Sequence, residues 1–196
     1  MKPLSLTLKN FGPYINEIID FTKFEDSSLF LISGKTGSGK TTIFDGMSYA
    51  LFGESSGKLR LGKEMRSTFA DPSEATEVTL LFKHNEFLYE LNRLPEQELF
   101  KKRGTGVRKQ SAKISLIVKD AQGKELRSYS KRREVDELIQ ELLHLNANQF
   151  AQIVLLPQGE FRTFLIAKSD EKEKVLRNLF GTELYQLFSE NLKERL

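Results

Sequence analysis

One stretch, Gly34-Lys35-Thr36-Gly37-Ser38-Gly39-Lys40-Thr41 with Thr42 behind it, constrains this chain more than any other. It fits G-x-x-x-x-G-K-[ST], the phosphate-binding P-loop. Glycine lets the backbone curl tightly and approach phosphate oxygens, because a Cβ would block the path or forbid the dihedrals. A backbone curled in this way aims its N–H groups inward, and a following helix adds the positive end of its dipole. Lys40 supplies a point charge for the β- and γ-phosphates, and the Thr41 hydroxyl is a ligand suited to Mg²⁺.

The flanks agree with that reading. Ser28-Leu29-Phe30-Leu31-Ile32 is a short apolar run of strand character. After the loop, Ile43, Met47, Ala50 and Leu51 fall at helical spacing. Strand, glycine-rich loop and helix together imply an α/β P-loop fold.

The rest of the chain reads as a sequence of strands followed by helices. Leu4–Phe11 alternates apolar and polar residues, Gly12-Pro13 turns, and Ile15–Phe21 returns. Residues 53–73 read as a long surface loop carrying Lys58, Arg60, Lys63 and Arg66. Thr76–Phe82 and Phe87–Leu91 form a hairpin, and Ala112–Val118 pairs with Glu125–Tyr129 across a turn at Asp120-Ala121-Gln122-Gly123. Phe100–Lys109, with Lys101, Lys102, Arg103, Arg108 and Lys109, is either a flexible loop that contacts DNA phosphates or a solvated basic hairpin tip.

Ser130 is placed to cap a helix reaching about His144, with Val135, Leu138, Ile139, Leu142 and Leu143 on one face. Ile153–Leu156 reads as a buried strand that breaks at Pro157-Gln158-Gly159-Glu160. Helices follow, the last from Thr182 with Leu184, Phe188, Leu192 and Leu196 recurring.

Composition excludes some chemistries. With no cysteine there is no disulfide and no thiolate metal site. The two histidines, His84 and His144, lie far apart in ordinary surroundings, and no apolar run approaches membrane-spanning length. A soluble, cytoplasmic protein is the expectation. A net charge of +3 over 196 residues is compatible with nucleic acid without requiring it.

The phosphate cradle lacks its usual complement. A P-loop ATPase needs a second acid for Mg²⁺ at the end of an apolar strand. Asp120 comes nearest, but Lys119 interrupts the run and Asp120 opens a turn. Either the missing half lies on another chain or the protein only binds nucleotide.

Taken together, Leu-Lys-Asn-Phe-Gly-Pro-Tyr at 8–14, the P-loop followed by Phe44-Asp45-Gly46, and Leu156-Pro157-Gln158-Gly159-Glu160-Phe161 resemble the SbcC family. These are ATPase subunits of bacterial SbcCD nucleases, related to SMC proteins and ABC-type ATPases. Met65–Ala70, Asn92–Gln97 and Leu179–Tyr185 are similar to further family stretches.

The resemblance implies a split head. Residues 1–181 would be its N-terminal lobe, with P-loop, Q-loop and an antiparallel β subdomain beside a mixed sheet, and 182–196 the start of a coiled coil. Signature motif, second acid and zinc hook would lie in later sequence.

It further implies that Gly34, Lys35, Thr36, Gly37, Ser38, Gly39, Lys40, Thr41 and Thr42 hold ATP, and that Lys40 and Gln158 act catalytically. Thr41 and Gln158 would ligate Mg²⁺. The implied partners are an SbcD-type nuclease subunit, the C-terminal lobe, a second head and double-stranded DNA, with no membrane. Gly12 and Pro13 stand where related heads often carry a basic residue near the adenine, so Tyr14 is the remaining local candidate for base contact. Two other functions fit some of these features: an ABC transporter nucleotide-binding subunit, and a passive DNA-binding or tethering module.

Overall fold

The computed structural model describes residues 1–24, 29–55, 62–101 and 103–151. The chain divides into two units, Met1–Ala147 and Asn148–Leu196. Gln158, the strand expected at 153–156 and the terminal helices lie outside the described residues.

Among the described residues, eight strands and three α-helices follow in order. The strands are β1 (Lys2–Phe11), β2 (Tyr14–Asp20), β3 (Glu77–His84), β4 (Phe87–Leu94), β5 (Gln97–Phe100), β6 (Val107–Gln110), β7 (Lys113–Lys119) and β8 (Glu125–Tyr129). Helix α1 (Lys40–Phe52) lies between β2 and β3, and α2 (Arg132–Leu143) follows β8. A single helical turn, α3, spans Ala147–Phe150. Six strands form one antiparallel sheet ordered β2-β1-β3-β4-β7-β8, while β5 and β6 form a separate ribbon.

The register explains the core. Leu6 stands opposite Leu80, Leu80 opposite Leu91, and Leu91 opposite Leu116, so a row of leucines crosses four strands. All four are fully buried, and burying each contributes about 1.5–3 kcal/mol. Phe82 and Tyr89 oppose each other in the adjacent row, with rings stacked at 5.1 Å.

Helix α1 lies on this face with Ile43, Met47, Ala50 and Leu51 all buried, as their spacing predicts. It approaches the sheet closely at Gly46, where a Cβ would come within 2.6 Å of Leu8 Cδ2.

The end of β1 departs from simple alternation. Asn10 and Phe11 are consecutive and both buried, because Asn10 takes a left-handed φ of 51°. Its side-chain nitrogen donates to the Ala75 carbonyl at 2.9 Å, and its own carbonyl accepts from Ser67 N at 2.9 Å and Thr76 Oγ1 at 3.1 Å.

Several sequence expectations change here. The apolar run 28–32, expected as a strand, forms none over its described residues 29–32, and Leu29 and Leu31 are 87% and 88% exposed. An apolar run becomes a strand only beside a partner that satisfies its backbone, and the described residues supply none. Helix α2 starts after Lys131 rather than Ser130, and Lys131 makes no side-chain cap. Its first turns are held instead by Lys131–Glu134, Arg132–Asp136 and Arg133–Glu137 ion pairs.

The described part of the 53–73 segment is pinned rather than loose. Met65 is buried and its carbonyl accepts from Gly12 N at 2.7 Å. Arg66, expected as a loop cation, bridges to Phe11 through its backbone. Its guanidinium donates to the carbonyls of Glu74 at 2.6 Å and Asp71 at 2.8 Å. Asp120 is a turn residue, its Oδ1 accepting from Gln122 N at 3.0 Å and Lys124 N at 2.8 Å. Of the two readings of the basic stretch near 100, flexible loop or hairpin tip, the pairing of β5 with β6 makes it the outer half of a hairpin.

Candidate nucleotide-binding site

The loop from Gly34 to Gly39 is built by two glycines in the left-handed region, Gly37 at φ 83° and Gly39 at φ 92°. Between them the chain tightens, with Ser38 N donating to Lys35 O at 3.2 Å. At Gly34 space is the constraint, since a Cβ would stand 2.9 Å from Ser38 Oγ. The glycine spacing in the sequence is thus explained position by position.

Gly39 is also the N-cap of α1, and no side chain caps that end. The first-turn N–H groups of a helix have no intrahelical acceptor. They and the dipole favour an anion at this point. Lys40 extends back over the loop, its Nζ donating to Gly34 O at 2.8 Å and Lys35 O at 2.9 Å. That anchorage holds the ammonium across the mouth of the curl. Thr41 is exposed, whereas Thr42 is buried beneath the loop.

The turn between β1 and β2 backs the loop. A Cβ on Gly12, itself at φ 56°, would come within 2.5 Å of Thr42 Cγ2. A Cβ on Gly39 would meet Pro13 Cγ at 2.6 Å and the Tyr14 hydroxyl at 2.9 Å. Tyr14 donates that hydroxyl to the Gly39 carbonyl at 3.1 Å. Burial and the nearby Glu17 carboxylate raise the Tyr14 pKa, which keeps the phenol protonated as a donor. Gly12-Pro13-Tyr14 is therefore a backstop for the loop backbone, a role that spacing alone did not reveal.

The far end of α1 is held by a residue that sequence reasoning passed over. Arg93 sits in a core row of β4, opposite Val78 and Ile114. Its Nε donates to Ala50 O at 2.6 Å, and one terminal nitrogen donates to Leu51 O at 3.0 Å and to Asp136 Oδ1 at 2.6 Å. A cation on the last carbonyls of a helix satisfies orphan acceptors and opposes the dipole. Burial lowers the Arg93 pKa, and the bond to Asp136 acts against that shift. The only advance signal was a charged residue at a position where β4 alternation calls for an apolar one.

Of the residues singled out in the sequence, the structure brings Gly34 to Thr42 and Tyr14 together. Asp120 lies in the β7–β8 turn, and Gln158 is outside the described residues. Among the described residues no cluster of three or more His, Cys, Asp or Glu could hold a metal. No described helix is long and apolar enough to cross a membrane.

A family model described as an AAA domain matches residues 5–195. The chain belongs to the AAA domain family. Within it, the chain is similar to curated relatives named as the SbcC component of nuclease SbcCD. It is 46% identical to that of Lactococcus lactis subsp. lactis over 198 residues and 43% identical to that of Vibrio cholerae over 196. The Staphylococcus aureus relative is 46% identical over 196 residues. Each match covers all of this chain and 19% of the relative, so the chain spans about a fifth of the length of these proteins. A solved structure from work on ATP-driven dimerisation and DNA-stimulated activation of SMC ATPases covers 91% of the chain and 99% of its own, at 18% identity with a TM-score of 0.49, a likeness too distant to argue from.

Proposed function

We propose that the chain is the ATP-binding N-terminal lobe of an SbcC-type ATPase head. The observation that carries this is Lys40, anchored across a loop whose two left-handed glycines open an uncapped helix. Gly34 to Thr42 would hold the triphosphate, Lys40 the β- and γ-phosphates, and Thr41 the Mg²⁺. The hydroxyl is a hard oxygen ligand of the kind Mg²⁺ takes, and Thr41 is exposed at the loop. Gln158 would be a further Mg²⁺ ligand and orient the attacking water through its amide.

Bound Mg²⁺ supplies charge neutralisation on the phosphates. This chain's own contribution is binding and orientation. The backbone N–H groups and Lys40 fix the phosphates, and the backstop at Tyr14 keeps the loop in its curled form. The acid and signature residues that complete the reaction would come from the C-terminal lobe and a second head. Exposed Leu29 and Leu31 support this, because a strand-like apolar run beside the P-loop lacks a partner among the described residues. In the whole protein, ATP-driven engagement of two heads would control access of double-stranded DNA to an SbcD-type nuclease partner.

The test is complementation. Purified chain should turn over ATP barely at all, and adding the C-terminal lobe should raise turnover at least tenfold. Full turnover by the chain alone would refute the division of the site.

A further inference from the structure

The backstop behind the nucleotide loop is itself held from a distance. Its course is set at Asn10, just before Phe11 and Gly12. Asn10 is 1% exposed, carries a left-handed φ of 51° and leaves its Oδ1 buried with no hydrogen-bond partner among the described residues. A non-glycine residue in that region persists where surrounding contacts over-determine it. A buried acceptor without a partner is a second cost at the same position. Asn10 is therefore a strained corner that something must hold.

The hold comes from far along the chain. The Thr76 hydroxyl, 66 residues away, donates to Asn10 O at 3.1 Å, and Thr76 is fully buried. Thr76 is in turn clamped by the buried Gln97, 21 residues further on. Gln97 Oε1 accepts from Thr76 N at 2.8 Å, and its Nε2 donates to Thr76 O at 3.2 Å. One side-chain amide thus does for Thr76 what a neighbouring strand does for a residue in a ladder.

Arg66 closes the cluster. Its Nη1 reaches Gln97 Oε1 at 3.3 Å and Thr76 Oγ1 at 3.4 Å. The oxygen of Thr76 accepts from Arg66, so its own hydrogen is left for Asn10 O. Arg66 also bridges through its backbone to Phe11, the residue after the corner. Among the described residues, the side-chain hydrogen bonds of Thr76 and Gln97 stay within this cluster. Beyond the corner, Gly12 abuts Thr42, and Pro13 and Tyr14 abut Gly39.

We propose that Thr76, clamped by Gln97, is a positioning residue for the nucleotide loop. Its hydroxyl fixes the corner at Asn10 and so holds Gly12-Pro13-Tyr14 against Gly39 and Thr42. The proposal rests on reading Gly34 to Thr42 as the ATP site. Side-chain chemistry separates it from plain packing. Valine keeps the branched shape of threonine without the hydroxyl, and serine keeps the hydroxyl without the methyl. A residue that only fills space tolerates valine better, whereas one that acts through its hydroxyl tolerates serine better.

The test follows hydrogen exchange of amides 34–43 in the purified chain without nucleotide. Affinity for a fluorescent ATP analogue with Mg²⁺ is measured on the same samples. Thr76→Val should speed exchange across 34–43 and weaken the analogue about two- to tenfold, the range that one lost hydrogen bond gives. Thr76→Ser should restore both. Gln97→Leu releases Thr76 from its clamp and should reproduce the Thr76→Val pattern. The control Ile139→Val trims a buried residue on α2, outside the cluster, and should leave both readouts unchanged. Unchanged exchange at 34–43 in Thr76→Val, equal acceleration in Ile139→Val, or no recovery in Thr76→Ser would overturn the proposal. So would faster exchange with undiminished affinity. An unaltered chain that binds no analogue would sink the ATP reading instead, and the exchange rates would still decide whether Thr76 holds the loop.

Discussion

The Tyr14 hydroxyl donates to the Gly39 carbonyl at 3.1 Å, and the same carbonyl accepts Ile43 N at 3.3 Å. One oxygen thus joins the β1–β2 turn, the P-loop and the first turn of α1. The loop is curled by its glycines and kept curled by a residue 25 positions earlier.

Tyr14→Phe removes that donor while keeping the ring. A hydrogen bond of this kind is worth about 0.5–1.5 kcal/mol. Affinity for ATP should fall about two- to tenfold with little change in melting temperature, measured by titration of a fluorescent ATP analogue. Gly39→Ala should do far more, because its Cβ would strike Pro13 and Tyr14 at a φ of 92°. Loss of binding with destabilisation of about 1–3 kcal/mol is expected.

Arg93→Ala strips two donations from the end of α1 and one from Asp136 on α2, and leaves Ala50 O, Leu51 O and Asp136 short of partners. Denaturant unfolding should show a loss of about 3 kcal/mol, the scale for breaking a buried charged contact. Arg93→Lys should recover less than half of it, since one ammonium cannot reproduce the planar fork. Asp136→Asn should cost less, because that side chain is partly exposed.

Stability at high pH should fall with a contribution from Tyr49. Burial holds its pKa up at about 12, against 10.0 for an ordinary tyrosine. A raised folded-state value contributes stability that is complete below pH 10 and is lost as pH climbs through the folded value. In that window the unfolded chain releases a proton that the folded one retains, a slope of about 1.4 kcal/mol per pH unit. Unfolding curves between pH 9 and 12 should be flatter for Tyr49→Phe by about that amount. Identical slopes would show that Tyr49 does not titrate this way.

The P-loop, α1 and the main hairpins were legible because each has a local signature. Glycines mark the curl, and Ile43, Met47, Ala50 and Leu51 mark the buried face. Arg93 and Tyr14 were not legible as supports, since their partners lie 42 or 43 residues and 25 residues away and no periodicity encodes them. The run 28–32 misled for a related reason. Its apolar pattern asks for a neighbouring strand, and strand formation depends on that neighbour as much as on the run itself. The β5–β6 ribbon was legible only as one of two alternatives, because its four-residue strands are too short and too charged to show alternation.

The most direct measurement is calorimetric titration of ATP·Mg²⁺ into the purified chain and into Lys40→Ala. Lys40 crosses the loop mouth from its anchors on Gly34 O and Lys35 O. The unaltered chain should bind one ATP, and Lys40→Ala should weaken binding at least tenfold with no change in melting temperature beyond a few degrees. Equal binding by the two proteins would contradict the account, because the phosphate site would then not be the loop from Gly34 to Thr42.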